Sequence, residues 1–189
     1  MKIVIEWEFL ESHVAKLTTS SQDSLARVLG SLWEHNTMTH PLWTRPVELL
    51  LVEDNPADIR LLQEMLKEAA VSLHLSIVHD GIAALAFLRR LAPYTQAMRP
   101  DLILLDLKLP GKSGFEVLQE VSQEPRLRQI PSIILTSSQL EEDIRRSYDL
   151  CANCYLVKPS NLAAFQQLII TLRDFWLRTA TLPSDFRSL

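Results

Sequence analysis

Glu53 and Asp54 follow directly on the apolar run VELLLV, and Asp106 follows directly on LILL, so three carboxylates stand at the ends of two strand-like segments. Runs of Leu, Ile and Val without polar alternation belong to strands covered on both faces, the environment of a parallel sheet with helices on each side. Ligands of such sheets bind beyond the carboxyl ends of the strands, and the three acids are expected to meet there. Clustered carboxylates repel and raise one another's pKa, an objection that a divalent cation removes. Hard oxygen donors suit Mg²⁺, which takes one or two carboxylates directly, keeps several waters and completes its shell with phosphate oxygens. The same topology brings Thr136, after SIIL, and Lys158, after YLV, to the same rim. A hydroxyl and an ammonium facing a metal-bound aspartate are what a phosphoryl group in transfer requires, because its equatorial oxygens must be neutralised and hydrogen-bonded.

The elements that position these residues alternate regularly from residue 46. VELLLVE (47–53) reads as a first strand, and Asn55-Pro56 supplies an N-cap and first helical position for a helix to about Ala69, with Ile59, Leu62, Met65 and Leu66 on one face. LSIVH (75–79) reads as a second strand, followed by a helix to about Leu91 and a loop from Pro93 to Pro100. DLILLD (101–106) is the third strand, FEVLQEVS the third helix, PSIILT (131–136) the fourth strand and 139–149 the fourth helix. NCYLVK (153–158) is the fifth strand. A last helix over 161–178 carries Leu162, Phe165, Leu168, Ile169, Leu172 and Trp176. Five βα units predict an α/β fold, a parallel sheet with helices on both faces.

Of the 189 residues, 47% are apolar, enough for a substantial core, and a net charge of −4 gives no basic field for nucleic acid. No apolar run approaches the length of a membrane span, and Glu6 and Glu8 interrupt any signal-peptide core, so the chain reads as soluble and cytoplasmic. Cys151 and Cys154 enter a strand instead of opening a helix and have no second ligand pair, and they read as structural thiols. The five histidines show no metal-ligand spacing. Residues 1–45 break the βα rhythm and read as an N-terminal extension, either poorly ordered or preceding a true start at Met38. An opposing reading gives Leu25, Val28, Leu29, Leu32 and Trp33 a helical face that docks on the core or on a partner.

Taken in order, Glu53-Asp54, Asp106 within DLKLPGKSG, Thr136-Ser137 and Tyr155-Leu156-Val157-Lys158-Pro159 resemble the signature of response-regulator receiver domains of two-component signalling. The resemblance spans residues 46–178, leaving 179–189 as a tail. It implies a flavodoxin-like (βα)5 fold of strand order 2-1-3-4-5, with Asp106 accepting phosphate from a sensor histidine kinase. It also implies that Asp54 and Asp106 hold Mg²⁺, that Lys108 adds its backbone carbonyl, and that Glu53 acts mainly through water. Lys158 would contact the phosphoryl oxygens, Thr136 would swing to bond them, and Tyr155 would follow, a two-state switch of packed side chains. In receivers the bond corresponding to Lys158–Pro159 resembles a cis peptide. VEDNPAD (52–58), YDLCANCY (148–155) and FWLRTATLPS (175–184) are similar to the single-domain regulators that serve cyanobacterial phytochrome-type kinases. That likeness implies a homodimer through the fourth helix, fifth strand and fifth helix. Lys108 and Ser138 occupy positions that tune phosphate lifetime in receivers. After Lys158 there is room for a last helix and a tail but not for an output domain, which points to output by protein contact. The rival reading keeps the fold as a docking or dimerisation module independent of phosphorylation.

Overall fold

A computed structural model describes residues 45–67 and 72–183, and the readings made for residues 1–44 lie outside them. The described elements are β1 (Val47–Val52), α1 (Pro56–Lys67), β2 (Leu73–Val78), α2 (Gly81–Leu88), β3 (Leu102–Leu105), α3 (Gly114–Gln123), β4 (Ser132–Thr136), α4 (Glu141–Asp149), β5 (Cys154–Val157) and α5 (Leu162–Leu172). Every strand pairs in parallel, in the order β2-β1-β3-β4-β5, so the sheet is doubly wound and flavodoxin-like.

Strand residues alternate between two cores. Leu50, Val52, Ile103, Leu105 and Ile134 face the side covered by α2 and α3. Leu49, Leu51, Leu102, Leu104, Ile133 and Leu135 face the side covered by α1 and α5. Because β1, β3 and β4 are buried on both faces, they carry no polar alternation. β5 is only half-buried along its length, as an edge strand is. Leu104 is completely buried in the central strand. Leu104→Ala is therefore expected to cost about 2–5 kcal/mol, read as a lower urea midpoint at unchanged slope; a shift within error would contradict the placement.

Short side chains start the helices. Asn55 Oδ1 accepts from Ala57 N at 2.9 Å, Asp80 Oδ1 from Ala83 N at 2.7 Å, and Asn161 Oδ1 from Ala164 N at 2.8 Å. Ser113 and Glu116 form a reciprocal capping box on α3. The last helix departs from the single regular element expected over 161–178. After Leu172 it widens into a π-helical segment, Arg173–Thr179, closed by Ala180 N donating to Phe175 O at 2.7 Å. The i→i+5 spacing sets Leu177 under Leu172, five residues earlier, and both are buried against the sheet, where a continued α-helix would turn Leu177 away.

Asp101 anchors the opposite, amino-terminal ends of the central strands β1 and β3. It is buried, accepts from Glu48 N at 2.9 Å, and forms a two-pronged ion pair with the Arg45 guanidinium at 2.7 and 2.8 Å.

Candidate functional site

Backbone hydrogen bonds hold the strand ends in line. Glu53 N donates to Val78 O at 3.0 Å, Asp106 N to Val52 O at 3.0 Å, and Lys158 N to Thr136 O at 2.7 Å. Each chemical residue is thus the first beyond its strand yet still tied to the neighbouring one. As a result Glu53 and Asp106 are buried while Asp54 is exposed. Carboxylate oxygens of Glu53, Asp54 and Asp106 lie within 4.8 Å of one another.

Lys158 crosses from β5 into this group, with its side chain only 8% exposed. Its ammonium donates to Glu53 Oε2 at 2.5 Å, Asp58 Oδ2 at 2.9 Å and Asp106 Oδ2 at 2.9 Å. Asp106 Oδ1 accepts from Lys108 N at 3.3 Å, and Glu53 Oε1 from Asn55 N at 3.1 Å. Burial raises the Glu53 carboxyl above its ordinary range; the Lys158 bond and charge oppose this without cancelling it, and the Asp106 charge adds to it. For Lys158 burial works downward, but the bonds to Glu53 and Asp58 and the charge of Asp106 outweigh it, so the ammonium is held well above its ordinary range. Lys158 bonds three carboxylates, and Asp54 adds a fourth to the group. This excess of negative oxygen donors fits a divalent cation of the Mg²⁺ or Mn²⁺ kind, with Glu53, Asp54 and Asp106 as the side chains able to hold it.

Asp58 was not anticipated among these residues. It lies in the first turn of α1, one turn beyond Asp54, where a helix N-terminus favours an anion. The VEDNPAD spacing carried that signal. The cis bond expected at Lys158–Pro159 is corrected: that bond is trans, and the cis X-Pro bond among the described residues is Ala92–Pro93. A trans bond already delivers the ammonium to three carboxylates, and trans is the ordinary preference by about 0.5–1 kcal/mol. Thr136 ends β4, fully buried, and Tyr155 is half-buried beside the core on the α2–α3 side. The Tyr155 hydroxyl donates to Ser138 O at 3.1 Å. Of the two cysteines, Cys151 is exposed, Cys154 is half-buried, and both are free thiols; burial pushes the Cys154 thiol up, away from thiolate reactivity.

Glycines set the turn after β3. A Cβ on Gly114 would lie 2.2 Å from Asp106 O and 2.7 Å from Leu107 Cα, and one on Gly81 would lie 2.1 Å from Lys112 O. The start of α3 therefore presses on the backbone of Asp106, and the start of α2 presses on the same turn. Gly114→Ala is expected to displace that backbone and weaken Mn²⁺ binding severalfold relative to the unsubstituted chain, measured by calorimetric titration; equal affinity would show that the turn yields freely.

Residues 49–170 match the family model of the response regulator receiver domain. The chain belongs to that family. This receiver is 48% identical over 139 residues to Response regulator Rcp1 of Synechocystis sp., covering 74% of this chain and 95% of Rcp1. It is similar to the crystal structure of the Mn²⁺-bound form of Rcp1, with a TM-score of 0.72 over 74% of this chain and 100% of that one. The phosphorylated cyanobacterial phytochrome response regulator RcpA gives a TM-score of 0.72 at 50% identity, over 74% of this chain and 99% of that one. The receiver domain of the Pseudomonas aeruginosa sensor histidine kinase PA1611, with a magnesium ion coordinated in its active-site cleft, gives 0.53 at 31% identity over 66% of this chain and 94% of that one. Like its family, this receiver is a signalling protein and not a catalytic enzyme. No helix among the described residues is long and apolar enough to cross a membrane.

Proposed function

We propose that this receiver is a response regulator that takes a phosphoryl group from a sensor histidine kinase onto Asp106. The observation that carries the reading is the set of carboxylate oxygens of Glu53, Asp54 and Asp106 within 4.8 Å, with Lys158 Nζ 2.9 Å from Asp106 Oδ2. An Asp106 carboxylate oxygen forms the bond to phosphorus while the phosphorus–nitrogen bond of the kinase phosphohistidine breaks, and the imidazole leaves. Water later cleaves the acyl phosphate, releasing inorganic phosphate and restoring the carboxylate. Glu53, Asp54, Asp106 and the Lys108 carbonyl would hold Mg²⁺, which when bound offsets the charge of the incoming oxygens. Lys158 binds and orients the phosphoryl oxygens, Thr136 donates its hydroxyl to them, and Tyr155 shifts with it. Incubation with acetyl phosphate and Mg²⁺ tests the reading: a hydroxylamine-labile phosphate on Asp106 supports it, and its absence from a folded, Mg²⁺-loaded chain overturns it. Stripping divalent ions with EDTA is expected to lower the labelling rate by at least about tenfold, with recovery on adding Mg²⁺; undiminished labelling would remove the metal from the scheme.

The phytochrome relatives support a phytochrome-type kinase as the donor, because the likeness to Rcp1 and RcpA runs through most of both chains. Leu140, Tyr148, Leu162, Ile170 and Phe175 are exposed on or beside α4 and α5, next to the half-buried edge strand β5. Exposed apolar surface beside an open edge supports pairing of two copies through α4, β5 and α5. Sedimentation is expected to show a dimer that Phe175→Glu disrupts; a monomer throughout, with and without phosphorylation, would refute the pairing.

A further inference from the structure

A cationic pocket lies at the end of the domain opposite the carboxylate cluster. α2 and α3 both begin against the turn after β3, where Gly81 and Gly114 press on it, and both end about 12–15 Å away along their axes. Beside those ends is a cavity of about 260 Å³. Leu88 and Leu127, both buried, form its apolar part, and Arg89, Arg90, Arg99, Arg126 and Glu124 line the rest.

The acids nearby are already engaged. Arg89 Nε donates to Glu124 Oε1 at 2.8 Å and Arg89 Nη2 to Glu120 Oε2 at 2.7 Å, while Lys112 Nζ donates to Glu120 Oε1 at 2.5 Å. These two cations match these two anions. Arg90, Arg99 and Arg126 have no carboxylate partner among the described residues, and the Arg99 guanidinium donates only to Arg126 O, at 3.3 Å. An arginine at a helix end is ordinarily explained by the helix dipole. Each C-terminus offers only about half a negative charge, however, so two ends leave about two of the three positive charges unanswered. The chain as a whole carries −4, and this surplus runs against its overall sign. Arg90 also adopts a φ of +54°, just past the C-cap Arg89, a position that glycine fills at less cost. The turn itself does not call for an arginine there.

We propose that this pocket binds the diphosphate group of a small anion. Planar guanidiniums bond phosphate oxygens in pairs, and three of them around one cavity suit several adjacent oxyanions better than a single carboxylate. Pockets that enclose a drug-sized molecule measure about 300–1,000 Å³. At about 260 Å³ this one admits a diphosphate and leaves any attached nucleoside outside. The ligand is thus free pyrophosphate or the diphosphate end of a nucleotide. The site uses neither a metal nor Asp106, and stands independently of the proposed phosphoryl transfer.

The test is calorimetric titration of the full chain with sodium pyrophosphate and, separately, with ADP, in EDTA, where the metal-free carboxylate cluster repels anions. Pyrophosphate is expected to bind at least about tenfold more tightly than acetate, because it can engage several guanidiniums at once. Arg99→Gln, Arg126→Gln and Arg90→Gly, the last of which also suits the backbone, are each expected to weaken it about tenfold. Arg128→Gln removes a neighbouring exposed charge that does not line the pocket, and is expected to change affinity by less than about twofold. An unchanged urea midpoint in each variant attributes the loss to the missing guanidinium and not to the fold. ADP binding as tightly as pyrophosphate supports the site and assigns it to nucleotides; weaker binding of ADP supports it and assigns it to the free anion. Absence of saturable pyrophosphate binding to the unsubstituted chain overturns the pocket. Affinity kept within about twofold in the three pocket variants, or a loss in Arg128→Gln equal to theirs, overturns it as well.

Discussion

Asp106→Asn is expected to take no hydroxylamine-labile phosphate from acetyl phosphate or from a kinase, while its melting temperature stays level or rises. An amide oxygen is too weak a nucleophile to displace a leaving group from phosphorus, and an amide does not form the acyl phosphate. The fold has no reason to suffer. Asparagine has nearly the same shape as aspartate, and its oxygen can still accept from Lys108 N, which donates to Asp106 Oδ1 at 3.3 Å. One ammonium bonds three carboxylates of the native cluster and Asp54 adds a fourth, and removing one of those charges relieves repulsion within a group of which Glu53 and Asp106 are buried. Divalent ions should then stabilise the variant less than they stabilise the native chain, because a ligand charge has gone. Thermal unfolding with and without Mg²⁺, alongside the labelling assay, checks both halves. Undiminished label on the variant would sink the assignment of Asp106.

Lys158→Met should have the opposite effect on stability and a similar one on chemistry. Methionine matches the length of the lysine stem but leaves Glu53, 1% exposed, and Asp106, 7% exposed, without the cation that bonds both. Breaking a buried pair by removing one partner costs about 3–5 kcal/mol, because the remaining charge is stranded. The loss should depend on pH in a direction the cluster dictates. Burial already raises the Glu53 carboxyl, and without the Lys158 bond and charge that oppose this, it rises further. A carboxyl that binds its proton more tightly folded than unfolded makes stability fall as pH rises above the unfolded glutamate value of about 4.3, and recover as pH is lowered toward it. Adding Mg²⁺ at neutral pH should also restore part of the loss. Phosphorylation should slow by about 10²–10³, the usual effect of deleting one group aimed at developing charge. Urea unfolding at several pH values and the rate of labelling by acetyl phosphate provide the check; a variant as stable as the native chain at neutral pH in EDTA would show that the ammonium does not hold the cluster.

The strands and their terminal residues could be read from sequence because both rest on short, local signals. LLLV before Glu53 and LILL before Asp106 have no polar alternation, and only a doubly covered strand tolerates that. Parallel topology then places every strand end on one rim, so Asp106 and Lys158 could be joined although 52 positions separate them. Features that depend on tertiary packing were less visible. Asp58 reads as an ordinary acidic residue in a first helical turn until Lys158 is seen to reach it. The change of helix type at Arg173 follows from where Leu177 finds a buried site, and periodicity within the segment does not reveal it. The pairing of Arg45 with Asp101 spans 56 residues and leaves no local pattern at either end. The cis expectation at Lys158–Pro159 came from family likeness alone, with no residue nearby that demanded it, and the backbone keeps the commoner isomer.

The chain contains four glycines, and three of them, Gly81, Gly111 and Gly114, stand in or against the turn after β3. Gly111 adopts a φ of +71°, and the other two leave no room for a single carbon atom. In a saturation scan of every position, this turn would therefore show the intolerance usually found only beneath the surface, although it lies at the rim and carries little apolar area. Attempts to raise the melting temperature by exchanging glycine for alanine, an approach that works where backbone and space permit, have almost no purchase on this protein. Improvement has to come from the helices and the edge strand, and the turn after β3 has little freedom to drift in sequence.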